Sequence, residues 1–186
     1  MKPASKKSLY EIELALARSD MFNFRRNLVV FNVNGWSAIL PIFHECDVLI
    51  CSKSGYLTEV EIKRTWSDFL ADFKKKHKHE NKKLIKYFYY CLPASFDLMK
   101  VYDLLEEYKV DYSGILLYDD CLKFRFYGRK IGQEKYQNKT LPNYKKTTLE
   151  QRFEIARLGA MRVIGLKKKL IKSEFKEQNK KQKELI

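Results

Sequence analysis

Long apolar runs are missing from this chain of 186 residues. None approaches the ~18 residues that a membrane-spanning helix requires, so no membrane is expected among its partners. The basic start, Met1–Lys7, leads into a charged amphipathic stretch and not into the apolar core of a signal peptide. No CxxC pair joins the four cysteines. Cys46, Cys51, Cys91 and Cys121 stand singly in apolar, strand-like runs, which points to a reduced chain in the cytoplasm. His44, Cys46 and Cys51 lack the spacing of a structural zinc site. There is no Gly-rich phosphate loop, no GxSxG and no internal repeat. Acidic residues are scarce relative to basic ones: 23 Asp and Glu face 37 Lys and Arg, for a net charge of +14. That balance calls for a polyanionic partner. DNA comes first, RNA is not excluded, and an acidic membrane surface is the lesser alternative.

What is present is a folded domain. Hydrophobic residues make up 45% of the chain and aromatics 14%, which is incompatible with a disordered polyelectrolyte. The length suits one domain. Residues 1–146 read as its body, and residues 147–186 as a C-terminal helix and basic tail packing on it.

The most informative stretch is Glu45–Lys63. Two alternating runs flank Lys53-Ser54-Gly55, a three-residue hairpin loop in which Gly55 supplies the left-handed position. That loop fixes a register with Ser52 opposite Tyr56, Asp47 opposite Glu61 and Glu45 opposite Lys63. Val48, Ile50, Val60 and Ile62 then share an inward face. Glu45, Asp47, Glu59, Glu61 and Lys63 share the other. Facing carboxylates repel, and a divalent cation would remove that repulsion. With an ammonium beside it, such a cation can activate water against a phosphodiester. The competing reading makes this the solvated face of an antiparallel hairpin.

Around the hairpin, Ser8 and Glu11 form a capping box for a helix over Ser8–Ser19. Its apolar face is Leu9, Ile12 and Leu16, with Glu13 at the edge. Asn27–Val33 reads as a strand, and Trp36–Phe43 as an edge or connecting segment. Ser67 caps a second helix with the stripe Trp66, Phe69, Leu70 and Phe73, leaving Asp68 and Asp72 on a different face. Lys74, Lys75, Lys76 and Lys78 crowd its end and are the expected phosphate contacts. Tyr87–Leu92 reads as a buried strand, Phe96–Tyr108 as a helix, and Gly114–Tyr118 and Leu122–Tyr127 as strands, giving a crossover unit with a parallel pair. Gly128–Lys146 reads as a basic loop. Thr147 and Glu150 offer a capping box for a long last helix whose end, after Leu166, frays into a basic tail.

The order helix with a glutamate, strand, acidic hairpin ending Glu61-Ile62-Lys63, helix, strand resembles the restriction-endonuclease-like superfamily, PD-(D/E)XK. Asp47 matches its upstream acid, although Cys46 stands where many members have proline. The run Glu59–Lys63, followed by Asp68-Phe69 and Asp72-Phe73-Lys74-Lys75, is similar to bacterial and phage proteins described as MmcB-like DNA-repair proteins. The resemblance covers about Ser8 to Tyr127. It implies an α/β fold: a restriction-endonuclease-like mixed sheet flanked by helices, here with an additional C-terminal helix. It also implies a metal-dependent nuclease hydrolysing DNA, in repair or in phage or mobile-element DNA processing. Asp47, Glu61 and the Ile62 carbonyl would hold Mg²⁺ or Mn²⁺. Lys63 would orient the attacking water and stabilise charge, and Glu13 would be the first-helix acid. Glu45 and Glu59 are possible accessory acids. The alternatives are a nucleic-acid-binding protein that keeps the fold without catalysis, and a structural protein whose acidic face is plain surface. Oligomeric state is not legible.

Overall fold

The computed structural model describes residues 7–35, 37–74, 84–110, 112–127, 140–141 and 144–184. The elements, in chain order, are α1 (Leu9–Arg18), β1 (Leu28–Asn34), β2 (Glu45–Cys51), β3 (Leu57–Ile62), α2 (Trp66–Phe73), β4 (Ile85–Pro93), α3 (Leu98–Glu107), β5 (Gly114–Tyr118), β6 (Phe124–Tyr127) and α4 (Leu149–Glu184). The strands form one sheet in the order β1-β2-β3-β4-β5-β6. β1, β2 and β3 meander antiparallel. α2 and α3 are crossovers that leave β3, β4 and β5 parallel, and β6 returns antiparallel. This is the expected class, an α/β fold with a mixed sheet flanked by helices and a further helix at the C-terminal end. Among the described residues no helix is long and apolar enough to cross a membrane.

Parallel strands need both faces covered, and the side chains comply. On one face Ile12 and Leu16 of α1 pack with Val48, Ile50, Val60, Ile62, Tyr89 and Cys91. On the other, Phe69 of α2, Val101 and Leu105 of α3 and Ile155 of α4 pack with Val30, Leu49, Leu57, Phe88, Tyr90 and Leu92. The alternating Phe88-Tyr89-Tyr90-Cys91 run therefore feeds two cores, as a central strand must.

Several local details differ from expectation. The capping box of α1 is as read, with the Glu11 N–H donating to Ser8 Oγ at 3.3 Å and Ser8 N–H donating to Glu11 Oε2 at 2.8 Å. The cap of α2, however, is Thr65 and not Ser67. Thr65 Oγ1 accepts from Asp68 N–H at 3.2 Å, and this draws Trp66 into the helix, where its ring meets Phe69 and Phe96. The cap of α4 is Thr148, paired with Gln151 instead of Glu150. Thr147 is engaged elsewhere. Its N–H and Oγ1 both donate to the Gly55 carbonyl, at 2.8 and 2.9 Å, tying α4 to the hairpin turn. α4 continues as helix to Glu184 where fraying was expected. It packs on β1 through Ile155, Leu158 and the bare backbone of Gly159 against Val30.

Candidate active site at the fork between β2 and β3

The hairpin forms in the expected register. Gly55 takes φ +88°, its N–H donates to the Ser52 carbonyl at 2.8 Å, and Ser52 N–H donates to Tyr56 O at 3.0 Å. Val48 pairs with Val60 and Ile50 with Thr58. That ladder ends at Val48 and Val60. Beyond it β2 stays with β1 as far as Glu45 opposite Asn34, while β3 stays with β4 as far as Ile62 opposite Cys91. The strands part where Asp47 and Glu61 would have met, and the sheet forks.

Strict alternation also fails at this point, which corrects the face assignment for Asp47 and Glu45. Val48 and Ile50 lie in the α1 core. Cys46, which alternation would place with them, lies instead with Leu49 and Cys51 in the opposite core. β1 breaks step at the same level: Phe31 packs on the α1 side, Val33 on the other, and Asn32 between them has φ +49°. Asp47 therefore points into the fork. Its Oδ2 accepts from the Ile62 N–H at 2.8 Å, taking over a bond that a ladder would have supplied. Glu45 is exposed at the end of β2.

The residues of β3 keep their alternation, but their face is no solvated exterior. Glu59, Glu61 and Lys63 are 0%, 1% and 4% exposed, with Asp72 of α2 against Lys63 and His44 against Glu59. Lys63 Nζ is 3.0 Å from Glu61 Oε2 and 3.0 Å from Asp72 Oδ1. Tyr90 of β4 donates its hydroxyl to Asp72 Oδ2 at 2.9 Å. Asp72 is fully buried, so α2 presents it inward beside Phe69, not on a separate face. Burial, and then the Asp72 carboxylate, push the Tyr90 hydroxyl well above its ordinary range, and burial with Glu59 and Asp72 does the same for Tyr112. Both phenols therefore stay protonated and able to donate. Burial raises the Cys91 thiol likewise, with Asp47 adding to the effect.

The remaining expected residues spread around this cluster. Glu13 is buried on α1 and accepts from Asn32 Nδ2 at 2.6 Å. Burial raises its carboxyl above the usual value, opposed by the Asn32 hydrogen bond and by Arg162. It approaches the fork from the α1 side of the sheet, opposite the Glu61–Lys63–Asp72 group. Glu59 meets His44, with Nε2 to Oε1 at 2.6 Å. Lys74 is exposed at the end of α2. Lys75, Lys76 and Lys78 lie outside the described residues.

Chemically, two carboxylates sheltered from water, Glu61 and Asp72, clasp the Lys63 ammonium, and a third buried carboxylate, Glu59, meets His44. Such charges need compensation, because desolvation of each is worth several kcal/mol or more. The oxygens near the fork are also the donors that a hard divalent cation takes. Asp72, Tyr90 and His44 were not among the sequence-derived candidates. The available signal for Asp72 was its place one turn after Phe69, at the rim of the apolar stripe.

No family model and no curated protein matches the chain. Among solved structures it is similar to a protein of unknown function from Silicibacter pomeroyi, SPO1766, with TM-score 0.53 and 16% identity over 94% of each chain. At that identity the likeness concerns the fold alone.

Proposed function

We propose that this chain is a metal-dependent nuclease of the PD-(D/E)XK type that hydrolyses DNA phosphodiesters using Mg²⁺ or Mn²⁺, in the cytoplasm. The observation that supports it best is the fork. Asp47 is hydrogen-bonded at the Glu61–Ile62 peptide, and Glu61 in turn holds Lys63. Asp47, Glu61 and the Ile62 carbonyl are all-oxygen donors and would hold the cation. When bound, it supplies Lewis acidity toward a phosphoryl oxygen and a water of lowered pKa. The chain's own residues do the rest. Lys63, clasped by two carboxylates, acts as a fixed positive charge toward a developing phosphorane, not as a general base. Asp72, steadied by Tyr90, fixes where that ammonium lies. The exposed Lys74 and the net charge of +14 supply sequence-independent phosphate affinity.

The decisive experiment is cleavage of duplex, single-stranded and branched DNA, and of RNA, in Mn²⁺ and Mg²⁺. Glu61→Gln and Asp47→Asn should each lower the cleavage rate by about a hundredfold or more while DNA binding persists. Variants as active as the parent would end the nuclease reading. One observation favours a second reading, a nucleic-acid-binding protein that keeps the fold without catalysis: Glu61 and Lys63 are 1% and 4% exposed, a closed arrangement for groups that must meet a phosphate. Salt-sensitive DNA binding with no metal-dependent cleavage of any substrate is its signature.

A further inference from the structure

The break in alternation at Asp47 does more than open the fork. It carries Cys46 onto the face of β3 that bears Glu59, and His44, from the segment before β2, closes over both. The ligand atoms of His44, Cys46 and Glu59 lie within 4.8 Å of one another. His44 Nε2 is 2.6 Å from Glu59 Oε1 and 3.7 Å from Cys46 Sγ. We infer that His44, Cys46 and Glu59 form a second metal site, selective for a borderline-soft divalent ion such as Zn²⁺ and distinct from the oxygen-donor site at the fork.

The donor chemistry carries the inference. Thiolate, imidazole and carboxylate together are a zinc set, whereas Mg²⁺ takes oxygen alone. With Zn–S near 2.3 Å and Zn–N near 2.0–2.1 Å, tetrahedral angles put sulfur and nitrogen about 3.6 Å apart, close to the 3.7 Å separation of Cys46 and His44. Nitrogen and carboxylate oxygen would be about 3.4 Å apart around the same ion. The 2.6 Å His44–Glu59 contact must therefore open by less than an ångström, within reach of small χ rotations. Cys46 and Glu59 are fully buried, and the His44 side chain is 14% exposed. Three protein ligands leave a fourth position for water or another small ligand, the pattern of an open zinc site and not of a closed structural one. The sequence spacing concealed it, because the natural partner by proximity, Cys51, packs away at the far end of β2 beside Thr147.

The test uses the chain of 186 residues, stripped of metal with a chelator and kept reduced with a phosphine. It is titrated with Co²⁺ as a spectroscopic stand-in for zinc. A thiolate-to-cobalt charge-transfer band saturating at one equivalent is expected. Zn²⁺ should abolish it, and excess Mg²⁺ should leave it in place. Cys46→Ser should remove the band, and Cys121→Ser, which alters the exposed thiol, should keep it. His44→Gln at the more exposed position should weaken Co²⁺ binding at least tenfold, which keeps the test decisive if Cys46→Ser does not fold. No band in the parent, a band that survives Cys46→Ser, one lost in Cys121→Ser, displacement by Mg²⁺, or unchanged affinity in His44→Gln would each overturn the proposal. None of these readouts depends on nuclease activity, so this site and the nuclease reading fail separately.

Discussion

Lys63→Met is the perturbation that most directly probes the buried cluster. The substitution nearly conserves volume and removes an ammonium lying 3.0 Å from both Glu61 and Asp72. The side chains concerned are 5%, 1% and 0% exposed, so water cannot take the lysine's place. Removing one partner of a buried pair costs about 3–5 kcal/mol, chiefly because the opposite charges are left behind in a poor solvent for ions. For a chain of this size each kcal/mol moves Tm by about 2–4 °C, so Tm should fall by on the order of 10 °C. Urea unfolding at neutral pH, followed by circular dichroism, measures the free energy. The double variant Lys63→Met/Asp72→Asn should recover part of the loss, with a coupling of about 1–3 kcal/mol. Mn²⁺ should raise Tm more in Lys63→Met than in the parent, because the vacated carboxylates gain a cation by mass action. A Lys63→Met protein within about 1 kcal/mol of the parent would refute the reasoning, since the lysine would then not be compensating buried charge.

Tyr90→Phe deletes the hydroxyl that donates to Asp72 Oδ2 at 2.9 Å. It should cost about 1.5–3 kcal/mol, as expected for a hydrogen bond to a charged group, and equal stability by urea titration would count against it. Glu13→Gln tests the raised carboxyl on α1. A carboxyl raised in the folded state binds its proton more tightly there than when unfolded, so it favours folding most when protonated, and that contribution is lost as pH climbs through the folded value. Glu13→Gln, which can still accept from Asn32, should therefore be more stable than the parent at pH 7, with the gap narrowing as pH falls toward 4.5, the ordinary carboxyl value. A gap that is constant or widens on acidification would contradict this. Gly55→Ala forces a side chain onto φ +88° and into the Arg152 guanidinium. A loss of at least about 1–2 kcal/mol is expected from the backbone alone, read by thermal unfolding, and an unchanged Tm would be the contrary result.

Much of the architecture was legible in the sequence, and the successes share a cause. The register of β2 on β3 follows from a three-residue loop with a glycine able to reach positive φ, a relation spanning a few residues. The Ser8–Glu11 cap and the crossover from β4 through α3 to β5 are likewise written in local spacing. The expectations that failed needed information from across the fold. Alternation put Asp47 and Glu61 in one ladder pair, but β2 holds to β1 and β3 to β4, so the ladder ends one pair short of them and Asp47 accepts from the Ile62 N–H. Alternation also suggested a solvated face, whereas the parallel centre of the sheet demands a cover. α2 supplies it and brings Asp72 with it.

The α/β class, the hairpin register and the gathering of acids and Lys63 on and just after β3 follow from residue order alone, because period-two alternation and turn chemistry act between near neighbours. Which of those acids meet is set by packing across the fold. The fork, the Glu61–Lys63–Asp72–Tyr90 chain and the His44–Cys46–Glu59 group all join side chains from separate elements. Their encounters depend on how α2 and the segment before β2 lie across the sheet, a packing solution that no residue spacing encodes.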